Sequence, residues 1–133
     1  MQNVPQPSKR LLIVDDEVTL RTVISETLSD AGYSVDAAKN GKEALQMLGN
    51  KGYDLIISDI NMPEMNGMDL YHEVGKNYPE LKTKTLFLIG SPTDEILSFI
   101  KKNHGLYLTK PFKTSDLVEQ IKNILDNKGE KAA

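Results

Sequence analysis

The chain has 133 residues, a formal net charge of −3 and no cysteine, and 39% of its residues are hydrophobic. This length and composition suit one domain with its own core, and the missing thiols exclude disulfide frameworks and thiolate metal sites and favour a reducing, cytoplasmic location. Lysine and arginine are scattered, and no apolar run approaches the roughly 20 residues of a membrane-spanning helix, so we expect neither direct nucleic-acid binding nor membrane association.

Both ends of the chain are polar. Residues 1–9 include two prolines and lack the apolar centre of a signal peptide, so we expect a disordered arm there. Residues 127–133 are similarly polar and are expected to form a flexible tail. The ordered domain is therefore predicted to cover residues 10–126.

The first elements show two different hydrophobic periods. Leu11–Val14 is a short continuous apolar run, which is typical of a strand buried on both faces of a sheet. Apolar side chains then recur at three- and four-residue spacing over residues 20–31, which predicts an amphipathic helix that Gly32 ends. Residues 33–38 alternate only weakly and predict an edge strand.

The remaining elements continue the alternation of strands and helices. Asn40, with Glu43 three residues later, predicts the capped start of a second helix. Three more apolar runs predict strands at residues 55–58, 85–89 and 106–109. Further helices are predicted at residues 68–77, at 93–102 and from residue 114 or 115 onward.

Five strands that alternate with five helices predict an α/β fold, a doubly wound parallel sheet with helices on both faces. We expect the flavodoxin-like strand order 2-1-3-4-5, which is taken from known folds of this class. In that order the first and third strands are neighbours, and the carboxyl ends of the strands line the ligand crevice.

Asp15 and Asp16 directly follow the first strand, and Glu17 lengthens the acidic run. Adjacent carboxylates repel one another unless a cation lies among them, and Mg²⁺ prefers one or two carboxylates together with water and phosphate oxygens. We therefore interpret the pair as a candidate magnesium site. The alternative is that the two residues cap the first helix, whose N-terminus favours negative charge.

Asp59 ends the third strand, next to the first strand in the expected order. An aspartate there is within reach of a metal held by Asp15 and Asp16 and can act as a nucleophile toward phosphorus. Lys110, followed by Pro111, ends the fifth strand and would bind phosphoryl oxygens as a point charge. The alternatives are a turn-initiating aspartate and a solvated lysine.

Taken together, these motifs resemble the response-regulator receiver domain of two-component signalling. The resemblance covers about residues 9–125 and rests on the joint order and spacing of the motifs. They are Asp15-Asp16, Asp59, Met62-Pro63, Gly67 and Lys110-Pro111-Phe112. The resemblance implies the CheY-like fold and a phosphoacceptor function in a phosphorelay, in a signalling module rather than a turnover enzyme.

The resemblance also implies a role for each site residue. Asp59 would take a phosphoryl group from a phosphohistidine and later lose it by hydrolysis. Mg²⁺ would be held by Asp15, Asp16, Asp59 and the backbone carbonyl of Asn61, with Asp16 as the more direct ligand, and Lys110 would contact the phosphoryl oxygens. The implied partners are a sensor histidine kinase or a histidine phosphotransfer protein, and an output domain or effector protein.

Ile89 departs from the family's pattern. The family normally ends its fourth strand in Thr or Ser, whose hydroxyl bonds the phosphoryl group and draws the next loop inward. That movement frees space for the aromatic residue at the position of Tyr107 to change rotamer. Isoleucine can donate no hydrogen bond, so the departure leaves the transfer chemistry intact and puts the switching step in question. Ser91, two residues later, is the candidate substitute hydroxyl.

Two other functions remain as alternatives. Because Ile89 has no hydroxyl, the first alternative is an interaction module with the same fold whose function does not depend on phosphorylation. An aspartyl-phosphate phosphatase of the haloacid-dehalogenase type would carry its nucleophilic aspartate, and a second aspartate two residues later, on the first strand. Here the candidate nucleophile Asp59 lies on the third strand with Asn61 two residues later, and this spacing and the short chain argue against the phosphatase.

Overall fold

The computed structural model of the chain describes residues 8–126. The predicted arm and tail therefore lie outside the described residues, apart from the exposed residues 8 and 9. The strands are β1 Arg10–Val14, β2 Ser34–Ala38, β3 Leu55–Asp59, β4 Thr85–Ile89 and β5 Leu106–Thr109. The α-helices are α1 Val18–Asp30, α2 Gly41–Leu48, α3 Gly67–Asn77, α4 Asp94–Lys102 and α5 Thr114–Asp126. Across residues 8–126, no helix has both the length and the apolar character needed to cross a membrane.

All five strands are parallel and lie in the order β2-β1-β3-β4-β5. The predicted α/β fold and its strand order are therefore confirmed. The register aligns the carboxyl ends of the strands, because Val14 lies opposite Ser58 and Asp59 lies opposite Leu88. On the other side of β4, its last residue lies opposite Thr109 of β5. One edge of the sheet thus gathers the residues that end β1, β3 and β5.

Different helices cover the two faces of the sheet. Alternate side chains of β1, β3 and β4 pack against α1 and α5, around Ile24 and Ile121. The opposite set packs against α2 and α3, around Leu48 and Leu70, and against α4, around Ile96. The three central strands are buried along almost their whole length. This double coverage explains why their sequences are continuous apolar runs.

The first helix ends at the predicted glycine. Gly32 has a φ of 103°, its N–H donates to the carbonyl of Ser29, and the Tyr33 N–H donates to the carbonyl of Leu28. These two bonds form a Schellman motif, in which an L side chain at the glycine position would be strained. The turn leads directly into β2, which lies at the edge of the sheet as predicted.

One element is absent from the sequence-based prediction, a 3-10 helix at Pro79–Lys84. Proline stands at its start, and Leu81 is buried against the cluster under α2 and α3. The Thr85 hydroxyl donates to the carbonyl of Leu81 at 2.7 Å and ties this helix to β4. Six residues are too few to show a helical hydrophobic period, so this element depends on tertiary packing.

Candidate functional site

Three strand ends bring their charged residues together at one edge of the sheet. Asp15 follows β1, Asp59 is the last residue of β3, and Lys110 follows β5. One carboxylate oxygen each from Asp15, Asp16 and Asp59 lies within 4.8 Å of the others. The parallel register causes this convergence, because it aligns the carboxyl ends of neighbouring strands.

The Asp15 carboxylate is buried, and one of its oxygens is unpaired. Oδ1 accepts the Glu17 N–H at 2.9 Å, whereas Oδ2 has no hydrogen-bond partner among residues 8–126. Lys110 Nζ lies 4.0 Å from Oδ2, which is beyond hydrogen-bonding distance. Buried charges are normally paired or coordinate a metal. The unpaired oxygen, together with two neighbouring carboxylates, therefore fits a divalent cation with a preference for oxygen ligands.

The pKa shifts of the two buried aspartates also favour a bound cation. Burial raises the pKa of the Asp15 carboxyl despite the hydrogen bond from Glu17, and the negative charges of Asp59 and Asp16 raise it further. Burial also raises the pKa of the Asp59 carboxyl, although the charge and hydrogen bond of Lys110 oppose that rise. Ionisation of both carboxyl groups is therefore less favourable in the folded protein than in water. A cation among them would reduce this free-energy cost.

Lys110 brings a positive charge to this cluster. Its Nζ donates to Asp59 Oδ2 at 3.1 Å, and its backbone N–H donates to the carbonyl of Ile89 at 2.8 Å. The aliphatic part of the side chain passes Gly90, where an added Cβ would lie 3.7 Å from Lys110 Cδ. The backbone bond to β4 fixes the start of the side chain, so the ammonium reaches across β4 to the end of β3.

The loop after β3 carries Asn61, whose backbone N–H is directed at Asp59. The Asn61 nitrogen lies 3.4 Å from Asp59 Oδ1, a long hydrogen bond. The loop closes where the Gly67 N–H donates to the carbonyl of Ile60 at 2.8 Å. A Cβ at position 67 would lie 2.6 Å from the Asp59 carbonyl oxygen. Only glycine therefore allows α3 to begin this close to the candidate nucleophile.

Residues 11–122 match the family described as the response regulator receiver domain. The chain belongs to this family. It is 38% identical over 120 residues to the probable transcriptional regulator ycf29 of Pyropia yezoensis, an alignment that covers 89% of this chain and 54% of that protein. It is 34% identical over 117 residues to the chemotaxis protein CheY of Thermotoga maritima, covering 87% of this chain and 97% of that one.

A solved structure of another relative matches the whole fold. The response regulator TrrA of Thermotoga maritima, in complex with Mg²⁺ and BeF, has a TM-score of 0.76 and 34% identity, covering 88% of this chain and 99% of that chain. The chain spans about half the length of the probable transcriptional regulators ycf29 that it matches. The resemblance to the receiver family is confirmed. The domain is a two-component signalling module rather than a classical enzyme, and a receiver implies a kinase partner.

In this receiver, the last residue of β4 is apolar. Ile89 is fully buried, and its cluster includes Ile96 and Ile100 of α4. The preceding residue, Leu88, pairs with Asp59 in the parallel ladder. An isoleucine therefore occupies the strand position beside the acidic cluster, and its side chain packs β4 against α4.

The other two residues considered for the switch are exposed. Ser91 lies two residues beyond β4, and Thr93 rather than Ser91 caps α4 by accepting the Ile96 N–H at 3.2 Å. Tyr107 lies opposite Phe87 in the ladder, and 43% of its surface is accessible to solvent. The tyrosine side chain is therefore directed outward in this structure.

The alternative interpretation of Asp15 and Asp16 as caps of α1 is wrong. Glu17 occupies the N-cap position, without a side-chain hydrogen bond to the helix. The structure also shows a contact that sequence analysis missed, because Arg21 Nη1 donates to the carbonyl of Asp15 at 2.7 Å. This bond orients the peptide that joins the two aspartates. Its acceptor is a backbone oxygen, so no side-chain spacing could have indicated it.

Replacement of Asp15 by asparagine should stabilise the protein in metal-free buffer. The raised folded-state pKa means that stability falls as the pH rises through the carboxyl's titration, and the loss is complete above the folded pKa. At pH 7 we expect Asp15→Asn to raise the free energy of unfolding by about 1 kcal/mol, because it removes a buried charge and its repulsion from carboxylates within 4.8 Å, an interaction of about this size in water. This gain in the free energy of unfolding should shrink as the pH is lowered toward the ordinary aspartate pKa of about 3.9.

Urea titrations with a chelator at pH 7 and pH 4 measure this effect. The matched control is Glu26→Gln, which neutralises an exposed carboxylate on α1 and should change the free energy of unfolding by less than about 0.5 kcal/mol. An Asp15→Asn variant that is less stable than the wild type at pH 7 would show that attraction to Lys110 outweighs burial and repulsion.

Proposed function

We propose that this receiver domain takes a phosphoryl group onto Asp59 from the phosphohistidine of a sensor histidine kinase or a histidine phosphotransfer protein. The observation that carries the proposal is the 3.1 Å contact of Asp59 Oδ2 with Lys110 Nζ, inside a carboxylate cluster suited to a divalent cation. A carboxylate held beside a lysine can attack phosphorus while the ammonium neutralises charge on the phosphoryl oxygens.

Mg²⁺ is the proposed cofactor. The carboxylates of Asp15, Asp16 and Asp59 and the backbone carbonyl of Asn61 would hold it. When bound, Mg²⁺ neutralises and orients the oxygens of the transferred group. The hard oxygen ligands favour this ion, the unpaired Asp15 Oδ2 fits it, and the relative TrrA was solved with Mg²⁺ and BeF.

The proposed transfer moves the phosphoryl group from a histidine nitrogen to an Asp59 oxygen. An Asp59 oxygen forms a bond to phosphorus, the P–N bond of the phosphohistidine breaks, and its electron pair stays on the imidazole nitrogen. Lys110 exchanges its contact with Asp59 Oδ2 for a phosphoryl oxygen, and the Asn61 N–H continues to orient the carboxyl group through Oδ1. Attack of water on phosphorus later breaks the new P–O bond and releases phosphate, which restores the carboxylate.

Incubation with acetyl phosphate and MgCl₂ should add one phosphoryl group to the wild type. Intact-mass spectrometry measures the adduct, which should be base-labile and sensitive to hydroxylamine because it is an acyl phosphate. Asp59→Asn should stay unlabelled, since an amide oxygen is a poor nucleophile, and a chelator should prevent labelling of the wild type. If no adduct forms, or if it persists in Asp59→Asn, the proposed phosphoacceptor function is wrong.

Binding of Mg²⁺ should depend more on Asp16 than on Asp15. Asp15 Oδ1 is already engaged by the Glu17 N–H, which leaves only its Oδ2 for the metal, whereas Asp16 is exposed and free to coordinate. At a Mg²⁺ concentration 100 times its Kd, the free energy of unfolding of the wild type should rise by about 2.7 kcal/mol. Asp16→Asn should lose most of this rise and Asp15→Asn less. An unchanged Mg²⁺ affinity in Asp16→Asn would remove Asp16 from the ligand set.

A second candidate function is a protein-interaction module whose conformation does not depend on phosphorylation. The observation that favours it is Ile89, which offers no hydroxyl and packs β4 against α4 through Ile96 and Ile100. A phosphoryl group shifts a conformational equilibrium only through contacts that differ between the two states. With an apolar side chain at the end of β4, one such contact is missing.

Substitution of Ile89 by threonine should create a phosphorylation-dependent switch. A hydrogen bond to a charged group contributes roughly 1.5–3 kcal/mol, which corresponds to about 10- to 100-fold in a population ratio. Beryllofluoride with Mg²⁺ should therefore move the amide resonances of residues 90–93 and Tyr107 in Ile89→Thr far more than in the wild type. Ile89→Val, which has the shape of threonine without its hydroxyl, is the matched control.

Large shifts in the wild type that Ile89→Thr does not increase would indicate another donor, with Ser91 as the candidate. Equal shifts in the valine and threonine variants would show that side-chain bulk, not the hydroxyl, limits the response of this loop.

We also propose an onward partner and a cellular compartment for this domain. The onward partner would be an output domain or an effector protein, and the probable transcriptional regulators among the relatives, about twice as long as the matched segment, support the first of these. A chain without cysteine suits the reducing cytoplasm, which we propose as the compartment. The proposed function involves no direct binding of nucleic acid or membrane by this domain.

A further inference from the structure

We propose that Met65 is a positioning residue for the acceptor site and that Gly41 provides the space its thioether requires. This inference rests on the proposed function of Asp59. Met65 belongs to the loop between β3 and α3, whereas Gly41 is the first residue of α2, a different element. Their contact would hold the loop that carries Asn61 in its place beside Asp59.

A side chain at position 41 would require the Met65 side chain to move. A Cβ on Gly41 would lie 2.7 Å from Met65 Sδ, 3.0 Å from its Cγ and 3.3 Å from its Cβ. The methionine side chain therefore lies directly across the Gly41 α-carbon. Gly41 is buried, and Met65 is half-buried against the cluster under α2 and α3.

The α2 side of this contact is held firmly. Asn40 Oδ1 accepts the Glu43 N–H at 2.7 Å, and Glu43 Oε1 accepts the Lys39 N–H at 2.8 Å. The predicted capping pair is thus present, with the return bond made to Lys39 rather than to Asn40 itself. Two hydrogen bonds around the first turn leave Gly41 little freedom to move away from Met65.

The loop side of the contact is strained. Glu64 has a φ of 70°, and the Met65 N–H donates to the carbonyl of Pro63 at 2.8 Å, so the chain makes a γ-turn just before Met65. A non-glycine residue in this region costs about 1–3 kcal/mol and persists only where the surroundings hold it. The packing of Met65 on Gly41 is a contact that can hold this turn.

Displacement of Met65 would be transmitted toward Asn61. At its other end the loop cannot relax, because Gly67 lies against the Asp59 carbonyl without space even for a Cβ. The Asn61 N–H already reaches Asp59 Oδ1 at the long distance of 3.4 Å. A shift of a few tenths of an ångström at Met65 would therefore alter the backbone hydrogen bond from Asn61 to Asp59.

A double-mutant cycle with Gly41→Ala and Met65→Ala tests the proposal. The rate of acetyl phosphate labelling at saturating Mg²⁺ is the first readout. We expect Gly41→Ala to slow labelling about tenfold in the wild-type background, since small misplacements near reacting atoms are costly. In the Met65→Ala background the same change should cost less than about twofold, because the clashing Sδ and Cγ are gone.

Two further measurements separate positioning from folding. Alanine favours a helix over glycine, so helix propensity cannot account for a loss in Gly41→Ala, and urea titration reports the stability of each variant. The Asn61 amide resonance should move both in Gly41→Ala and in Met65→Ala, and Gly41→Ala should move it little further in the Met65→Ala background. Gly49→Ala, at the other end of α2 with its nearest contact at 3.4 Å, is the control and should label at the wild-type rate.

Three results would overturn the inference. The first is labelling of Gly41→Ala at the wild-type rate. The second is a double variant whose loss of labelling rate equals the product of the losses in the two single variants, which would mean that the two residues are not coupled. The third is lower stability with an unmoved Asn61 resonance, which would make the contact purely structural. If the wild type is not labelled, the proposed function fails instead, and the Asn61 resonance and the Mg²⁺ affinity, which need no phosphorylation, decide whether Met65 positions the loop.

Discussion

Three aspartates repel one another at the carboxyl edge of the sheet, and the rest of the site is arranged around that repulsion. Asp15, Asp16 and Asp59 hold carboxylate oxygens within 4.8 Å of one another, and burial of two of them disfavours their ionised forms. The sheet maintains this arrangement because its central strands are buried along their length, and burial stabilises by about 25 cal/mol per Å² of apolar surface. The core thus supports a charged cluster that is unfavourable by itself, as functional sites often are.

The charged groups of the site and the apolar end of β4 lie side by side in this receiver. The groups suited to phosphoryl transfer lie at the ends of β1, β3 and β5, where Lys110 reaches across β4 to Asp59. The end of β4 itself contributes Ile89, whose side chain packs toward α4. The charged residues and the apolar Ile89 therefore stand at the ends of neighbouring strands. The acidic cluster and Lys110 thus lie beside a strand end that apolar contacts join to α4.

Local signals predicted most of the fold correctly. The strands expected at residues 85–89 and 106–109 coincide with β4 and β5, because continuous apolar runs between turn residues leave little choice of boundary. Gly32 and Asn40 end and begin helices as expected, since a positive φ and a free N–H impose specific residue types. The 3-10 helix at Pro79–Lys84 escaped prediction because a single buried leucine, Leu81, holds it.

Side-chain type and hydrophobic period are local properties, so the alternation of strands and helices could be predicted from the sequence. The same holds for the placement of Asp15, Asp16, Asp59 and Lys110 at strand ends. Three contacts became visible in the folded chain alone: within residues 8–126 Asp15 Oδ2 is buried without a hydrogen-bond partner, Arg21 bonds the Asp15 carbonyl, and Met65 lies across Gly41. These contacts depend on distances between atoms of different elements, and one of them ends on a backbone oxygen that every residue carries.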